Sequence, residues 1–450
     1  MPPAAGAPRR ELSMLDAVMI IVGIVIGGGI FALPPAIAGL AGSPEWMWAA
    51  WGSGALLSLV GALCYAEMAA AFPHPGGDYH FLTLAWGRDV SFFFGWARVT
   101  VILTGSIAML AFVCGEYLAR FASLGAHSAA IYAALVIALL TVVNALGLRK
   151  SARAQNVFTF VEVSGVLLVA VAGFALAGTA APAAAAAPSG GGLPAMFGLA
   201  LVFVLFTYGG WNEAAYISAE VRGGPRAILG VLVIAIGCLA LVYGLFVLAL
   251  VTGLGFEGLK ASKAVGADVL LKALGPAGES LIAAMVAIAA LTSINATMIV
   301  GARNAYALGQ DWPLLSFMGR WNGPRDVPVA ALLVQSAIAL LLVAVAAVEQ
   351  GGVKTMVEFT APVFWGFLVL VGVGFFVLRV RHAGVERPFR APLYPLLPLV
   401  FIATCAYLFY SSVTYAQSQG AVRVSFYVMG AGLLAWGMAR LTGSRPARPS

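Results

Sequence analysis

Twelve apolar runs, separated by short polar intervals, leave this chain few ways to fold. They cover residues 14–40, 46–72, 89–120, 127–147, 155–178, 195–221, 226–253, 278–309, 327–347, 354–380, 394–415 and 422–440. Each holds roughly 20 residues or more, enough to cross a bilayer as an α-helix. The chain of 450 residues is 62% hydrophobic and only 10% charged, whereas soluble domains carry about 25% charged residues. In lipid only helices and closed barrels satisfy every backbone polar group, and runs this long specify helices. The expected fold class is an all-α integral membrane protein with twelve transmembrane helices. The four cysteines (Cys64, Cys114, Cys238 and Cys405) lie inside apolar runs, as small hydrophobes rather than a disulfide framework or a metal motif. The first run is too long for a cleavable signal peptide and no small-residue cleavage site follows it, so it counts as the first span.

Two of the runs are interrupted by glycine. The first contains Gly27-Gly28-Gly29-Ile30-Phe31, and the sixth contains Phe206-Thr207-Tyr208-Gly209-Gly210-Trp211-Asn212-Glu213. Each glycine costs about 1 kcal/mol of helix propensity relative to Ala and lets a ligand approach the backbone. Two Gly-interrupted segments five spans apart are the sequence pointer to an inverted-repeat transporter. Spans one and six cross in opposite directions, so each break puts half-helix ends near the bilayer midplane. Amides at the half beginning near Gly29 suit an anion, and carbonyls at the half ending near Tyr208 suit a cation. An α-amino acid zwitterion carries both charges. The competing reading of such glycines is close helix packing.

Counting Lys and Arg on alternate sides assigns about 18 to one face and about 6 to the other, with Arg98 inside a span. The first face is then cytoplasmic, and with an even number of spans so are both termini. The expected organisation is a cytoplasmic arm (1–12), a first five-helix repeat (13–178), an extracellular Ala/Pro/Gly-rich loop (179–194), a second repeat (195–380), two further helices (381–441) and a cytoplasmic tail (442–450). The interval 254–277 is expected to carry one short surface helix.

Several motifs, in order, resemble the amino acid–polyamine–organocation superfamily, most closely its L-type and serine/threonine-exchanger-like permeases. They are Gly23-Ile24-Val25-Ile26-Gly27-Gly28-Gly29-Ile30-Phe31, then Tyr65-Ala66-Glu67 with Pro75-Gly76-Gly77-Asp78-Tyr79, and Tyr208-Gly209-Gly210-Trp211-Asn212 followed by Ala219-Glu220-Val221. Arg303-Asn304-Ala305-Tyr306-Ala307 and Arg387-Pro388-Phe389-Arg390-Ala391-Pro392-Leu393-Tyr394-Pro395 complete the set. The resemblance implies a LeuT-like five-plus-five inverted repeat with helices one and six broken and two extra C-terminal helices. It implies a substrate carboxylate on the backbone of Gly27, Gly28 and Gly29, and an α-ammonium on carbonyls near Val25, Ile26 and Phe206 to Gly209. Phe206 takes the place of the aromatic gate, with Tyr208 and Trp211 beside it, and Asn212 that of a polar residue linked to the unwound segment. The family often has Ser where this chain has Gly28, so one hydroxyl donor is missing.

Ionisable residues within spans are functional candidates because of their cost in lipid. Arg98 and Glu162 fall at similar depth, about 10 Å by helical rise, and are expected to pair. Related exchangers tend to have an acidic residue at the first position and Lys at the second, so the resemblance implies a charge swap. Glu162 is either half of a structural ion pair or a proton-carrying carboxyl. Glu67, Glu220 and Arg303, near the cytoplasmic ends of spans, suit a gate or brace, or interfacial snorkelling. Glu213 either reads a polar substrate group or satisfies the unwound turn. Thr292, Ser293 and Asn295 are weaker candidates for lining an ion or substrate path.

No P-loop, zinc-protease motif, Cys/His cluster or potassium-filter motif is present, and no enzyme activity, metal, cofactor or nucleic-acid partner is expected. The sequence supports a plasma-membrane, multi-pass secondary transporter of small, neutral α-amino acids, working by proton symport or amino acid exchange. The alternatives are an antiporter of cationic amino acids or polyamines, a non-transporting amino acid sensor, and a channel. An accessory subunit is left open.

Overall fold

In a computed structural model of the protein, the described residues are 12–27, 29–74, 76–146, 152–177, 196–218, 221–223, 226–322, 327–349, 352–418 and 422–441. They are almost entirely helical. Among the described residues nine helices are long and apolar enough to cross a membrane, and three shorter apolar helices (Thr159–Ala175, Phe197–Thr207 and Val428–Leu441) accompany them. The first apolar run forms α1 (Met14–Val25), a single turn α2 (Gly29–Ala32) and α3 (Pro34–Ala41). Next come α4 (Pro44–Ala71) and the short α5 (Gly77–Trp86). The third run is α6 (Arg88–Ala97), a π-helical turn (Arg98–Ile102) and α7 (Leu103–Phe121), followed by α8 (Ser128–Ala145) and α9 (Ala152–Ala175). The sixth run is α10 (Phe197–Thr207), a 3-10 turn (Trp211–Glu213) and α11 (Ala214–Ile217). The remainder is α12 (Ala227–Leu254), α13 (Phe256–Ala261), α14 (Val265–Leu274), α15 (Pro276–Asp311), α16 (Val329–Glu349), α17 (Gly352–Arg381), α18 (Leu396–Ser418) and α19 (Val422–Leu441).

Local chemistry sets several of these ends. Ser13 and Asp16 form a reciprocal capping box at the start of α1, with Asp16 N–H donating to Ser13 Oγ at 3.1 Å and Ser13 N–H donating to the Asp16 carboxylate at 3.0 Å. Both amides would otherwise be unpaired at a helix start. Ser43 caps α4, where Pro44 takes a first-turn position that needs no N–H donor.

The interval between α12 and α15 holds two helices rather than one surface helix. The second, α14, buries Val265, Gly266, Ala267, Val269 and Leu270, because its apolar stripe packs against α9, α12 and α15. The arm before residue 12, the loop 179–194 and the tail 442–450 lie outside the described residues.

Without a hydrophobic difference between lipid and neighbouring helix, close packing drives association, and small residues permit it. At the α9–α12 crossing, Gly173 lies against the Ala249 backbone, and a methyl built on Gly253 would stand 3.1 Å from Gly173 Cα. Gly173→Val is therefore expected to prise α9 from α12 and destabilise the fold by about 1–3 kcal/mol, as overpacking does. A thermal melt of the purified protein would show a lower midpoint; an unchanged midpoint would contradict the packing argument.

Candidate functional site

The two breaks meet. Helix α1 ends with Ile26 N–H on the Val22 carbonyl at 2.8 Å, and the chain restarts as helix at Gly29, where leading amides have no intrahelical acceptor. Helix α10 ends with Tyr208 N–H on Val204 O at 2.9 Å and Gly209 N–H on Phe206 O at 3.0 Å. Gly210 then turns the chain at φ +111°, in the left-handed region where side chains are strained. A methyl there would also stand 2.9 Å from Ile24 Cγ2, and one on Gly29 would lie 3.7 Å from Thr207 Cα. Gly28 lies outside the described residues.

One side chain ties the breaks together. The Tyr243 hydroxyl, fully buried on α12, lies 2.8 Å from the Val25 carbonyl oxygen and 3.2 Å from that of Thr207. It thus serves carbonyls that the helix ends leave without helical partners, while each oxygen keeps a second lone pair. Sequence reasoning missed this residue, although a phenol in the middle of an apolar 28-residue helix must find a partner.

Among the aromatic candidates, only Phe206 is half exposed, with its ring beside Phe364 (5.8 Å) and Trp365 (6.5 Å) on α17. Tyr208 is buried against Trp51 and Tyr243. Trp211 packs on Gly61, Tyr65 and Phe401, between α4 and α18. Asn212 is buried with its amide 3.5 Å from Asp78 of α5.

A cavity of about 600 Å³ lies about one helical turn from the breaks. Ala32 and Leu33 border it one turn beyond Gly29, and Phe203 borders it one turn from Thr207. Its charged groups are Glu116, Arg120, Lys263 and Lys354. Arg120 pairs with Asp268 at 3.3 Å, Lys354 with Glu358 at 3.7 Å, and Glu116 lies in the field of Lys263. At the other end of the two broken runs, described elements meet at two places. Arg222 N–H donates to the Leu12 carbonyl at 2.8 Å, and the Tyr216 ring covers Gly77.

The expected Arg98–Glu162 pair is corrected. Arg98, the first residue of the π turn, donates from Nη2 to both Glu213 oxygens, at 3.0 and 3.2 Å, and its guanidinium lies 4.7 Å from the Tyr216 ring centre. Glu162 instead accepts from Ser293 Oγ at 3.3 Å. Matching depth fixed height but not direction. Helix α9, which carries Glu162, packs against α1, α12, α14 and α15, whereas the Arg98 turn faces α15, α16, α17 and α19.

Glu67 is the hub of a brace rather than part of the centre. It accepts from Arg379 Nε and Nη2 at 2.8 and 2.6 Å and from Ala391 N–H at 2.7 Å, with Arg387 at 3.4 Å. Arg303 is exposed on α15, and Glu220 lies outside the described residues. Thr292 bonds back to the Ile288 carbonyl of its own helix, and Asn295 accepts from Asn144 of α8 at 2.9 Å. Of the three weaker candidates, Ser293 comes nearest the first break: a methyl on Gly27 would stand 3.4 Å from its hydroxyl.

The amino acid permease family profile matches residues 12–436. The b(0,+)-type amino acid transporter 1 of Rattus norvegicus is 27% identical over 412 residues, covering 90% of this chain and 83% of that protein. The Homo sapiens protein of the same name is 26% identical over 415 residues, covering 90% and 83%. The large neutral amino acids transporter small subunit 2 of Mus musculus is 27% identical over 415 residues, covering 89% and 76%.

Tyr243→Phe removes one donor from two buried carbonyls, at about 1–3 kcal/mol for groups left unsatisfied. The expected result is a lower melting midpoint and substrate affinity weakened about tenfold or more in an equilibrium binding assay. Wild-type affinity in this variant would show that the hydroxyl does not hold the breaks in their binding geometry.

Proposed function

Because the chain belongs to the amino acid permease family, we propose that it carries a small neutral α-amino acid across the plasma membrane by alternating access. That it is a multi-pass amino acid transporter rather than an enzyme follows from the family itself. What supports the finer reading is that two mid-helix breaks touch each other, about one turn from an open cavity. Backbone amides from Gly29 onward receive the carboxylate, carbonyls around Ile26 and Phe206 receive the ammonium, and Phe206 moves over the occupied site. The twelve apolar helices all span the membrane, residues 13–178 and 195–380 form the inverted LeuT-like repeats, and both termini are cytoplasmic. The open cavity is then the outer vestibule, and the sealed end at Leu12, Gly77 and Arg222 is the inner gate.

Two features favour a neutral substrate over a cationic amino acid or polyamine. Glu213, the carboxylate nearest the second break, is engaged by Arg98, and Glu162 is engaged by Ser293. Of the cations bordering the cavity, Arg120 and Lys354 are each paired with a carboxylate, which lowers the net charge that a zwitterion meets there. One relative is named a transporter of large neutral amino acids.

Proteoliposome uptake over an amino acid panel, with and without a proton gradient, a sodium gradient and internal amino acid, tests this reading. Neutral amino acids are expected to accumulate, with stimulation by internal amino acid marking exchange and by a proton gradient marking symport. Gly29→Val is expected to abolish binding while leaving a monodisperse, helical protein. Uptake confined to lysine or polyamines, or normal binding by Gly29→Val, would overturn it.

A further inference from the structure

Beneath the second break lies a buried charge cluster that substrate binding does not use. Asp78, near the start of α5, is only 2% exposed. Its Oδ1 has no hydrogen-bond partner, and its Oδ2 meets only the long 3.5 Å contact from Asn212 among the described residues. The neighbouring cation, Arg98, spends Nη2 on Glu213, and its Nε is also without a partner. The other titratable groups facing Asp78 are Tyr65 from α4, with Cys405 of α18 behind it, and Tyr216 from α11. From α17, Arg381 turns to the Ala85 carbonyl at the far end of α5, and Arg379 turns to Glu67. From α6, Asp89 is held by Arg440 and Trp436. Two carboxylates, Asp78 buried and Glu213 partly exposed, thus stand by one buried guanidinium, and Glu213 holds it.

We propose that Asp78 is a proton-binding site whose protonated form locks this end of the transporter closed. With the proton in place the cluster is neutral: Arg98 balances Glu213, and Asp78 is an uncharged acid. The lock is mechanical as well as electrostatic, because Tyr216 of α11 lies over Gly77, the residue before Asp78. When α11 withdraws from α5, Glu213 leaves Arg98. The guanidinium then turns to Asp78, water enters, and the carboxyl releases its proton to that side.

The sign follows from the closed geometry. Burial pushes the Asp78 carboxyl up, and Glu213 adds to this while Arg98, the Tyr65 hydroxyl and the Asn212 amide pull it back, leaving it at about 7. Opened to water it returns toward the ordinary value of about 3.9. Protons therefore favour closure as pH falls from about 7 toward about 4, and this preference is lost as pH rises through about 7. Between pH 8 and pH 6 the closed-to-open ratio changes by about tenfold.

This inference rests on the proposed reading of the sealed end as a gate, and its test needs no substrate. Ser218, 6% exposed at the end of α11, is replaced by Cys in a Cys238→Ser background. Labelling of the purified full-length protein by a maleimide is timed at pH 6 and pH 8. The same pair of rates in a protein also carrying Asp78→Asn corrects for thiol ionisation. Relative to that control, labelling is expected to slow about tenfold at pH 6. Glu213→Gln, which frees Arg98 for Asp78, is expected to move the dependence below pH 6, and it decides the matter if Asp78→Asn does not fold. The same pH ratio with and without Asp78, or full dependence retained in Glu213→Gln, overturns the proton site. No labelling at any pH, while amino acid exchange proceeds, overturns the gate reading itself.

Discussion

A backbone amide or carbonyl at membrane depth must find a partner inside the protein, because lipid offers none. Two helices that stop in mid-span therefore need each other, or a ligand, or both. Here the Tyr243 hydroxyl joins the last carbonyls of α1 and α10, and the glycines let the two backbones approach to contact distance. What that arrangement leaves unfilled is a set of leading amides on one side and carbonyl lone pairs on the other. The same unpaired groups that make the breaks costly make them suited to a zwitterion.

The charges are placed around this centre rather than in it. Glu67 gathers Arg379, Arg387 and the Ala391 amide into a brace that anchors the segment following α17 to α4. Arg98 and Glu213 tie the π turn to the far side of the second break. A π turn often marks a functional position in a helix, and this one begins at the residue whose guanidinium reaches across to α11. The centre thus stays free of unbalanced charge, in keeping with selection of the α-amino acid backbone.

Much of this was legible in the sequence, because hydropathy reports membrane spans directly and glycine reports where helices fail. The apolar runs, the breaks at Gly27–Gly29 and Gly209–Gly210, and the place of Arg98 inside a span could all be read from residue type and position; the pairing of Arg98 with Glu213 could not. Direction around a helix could not. Arg98 and Glu162 share a depth, yet the packing of α9 sends them to different neighbours. Trp211 and Tyr208 look like site aromatics by position, but Gly61 and the aromatics of α4 draw them into helix packing. Tyr243 and Asp78 went unnoticed because each is a single polar group whose role depends on residues far away in the chain. The π turn left no local signature.

Binding of the amino acid by backbone groups of the two touching breaks is open to direct test. An experimental structure with the transported amino acid bound tests it most directly. The carboxylate is expected within hydrogen-bond distance of the Gly29 amide and the ammonium on the carbonyls beside Tyr243, with Phe206 closed over both. A ligand held only in the outer cavity beside Lys263 and Lys354, with the breaks empty, would contradict it.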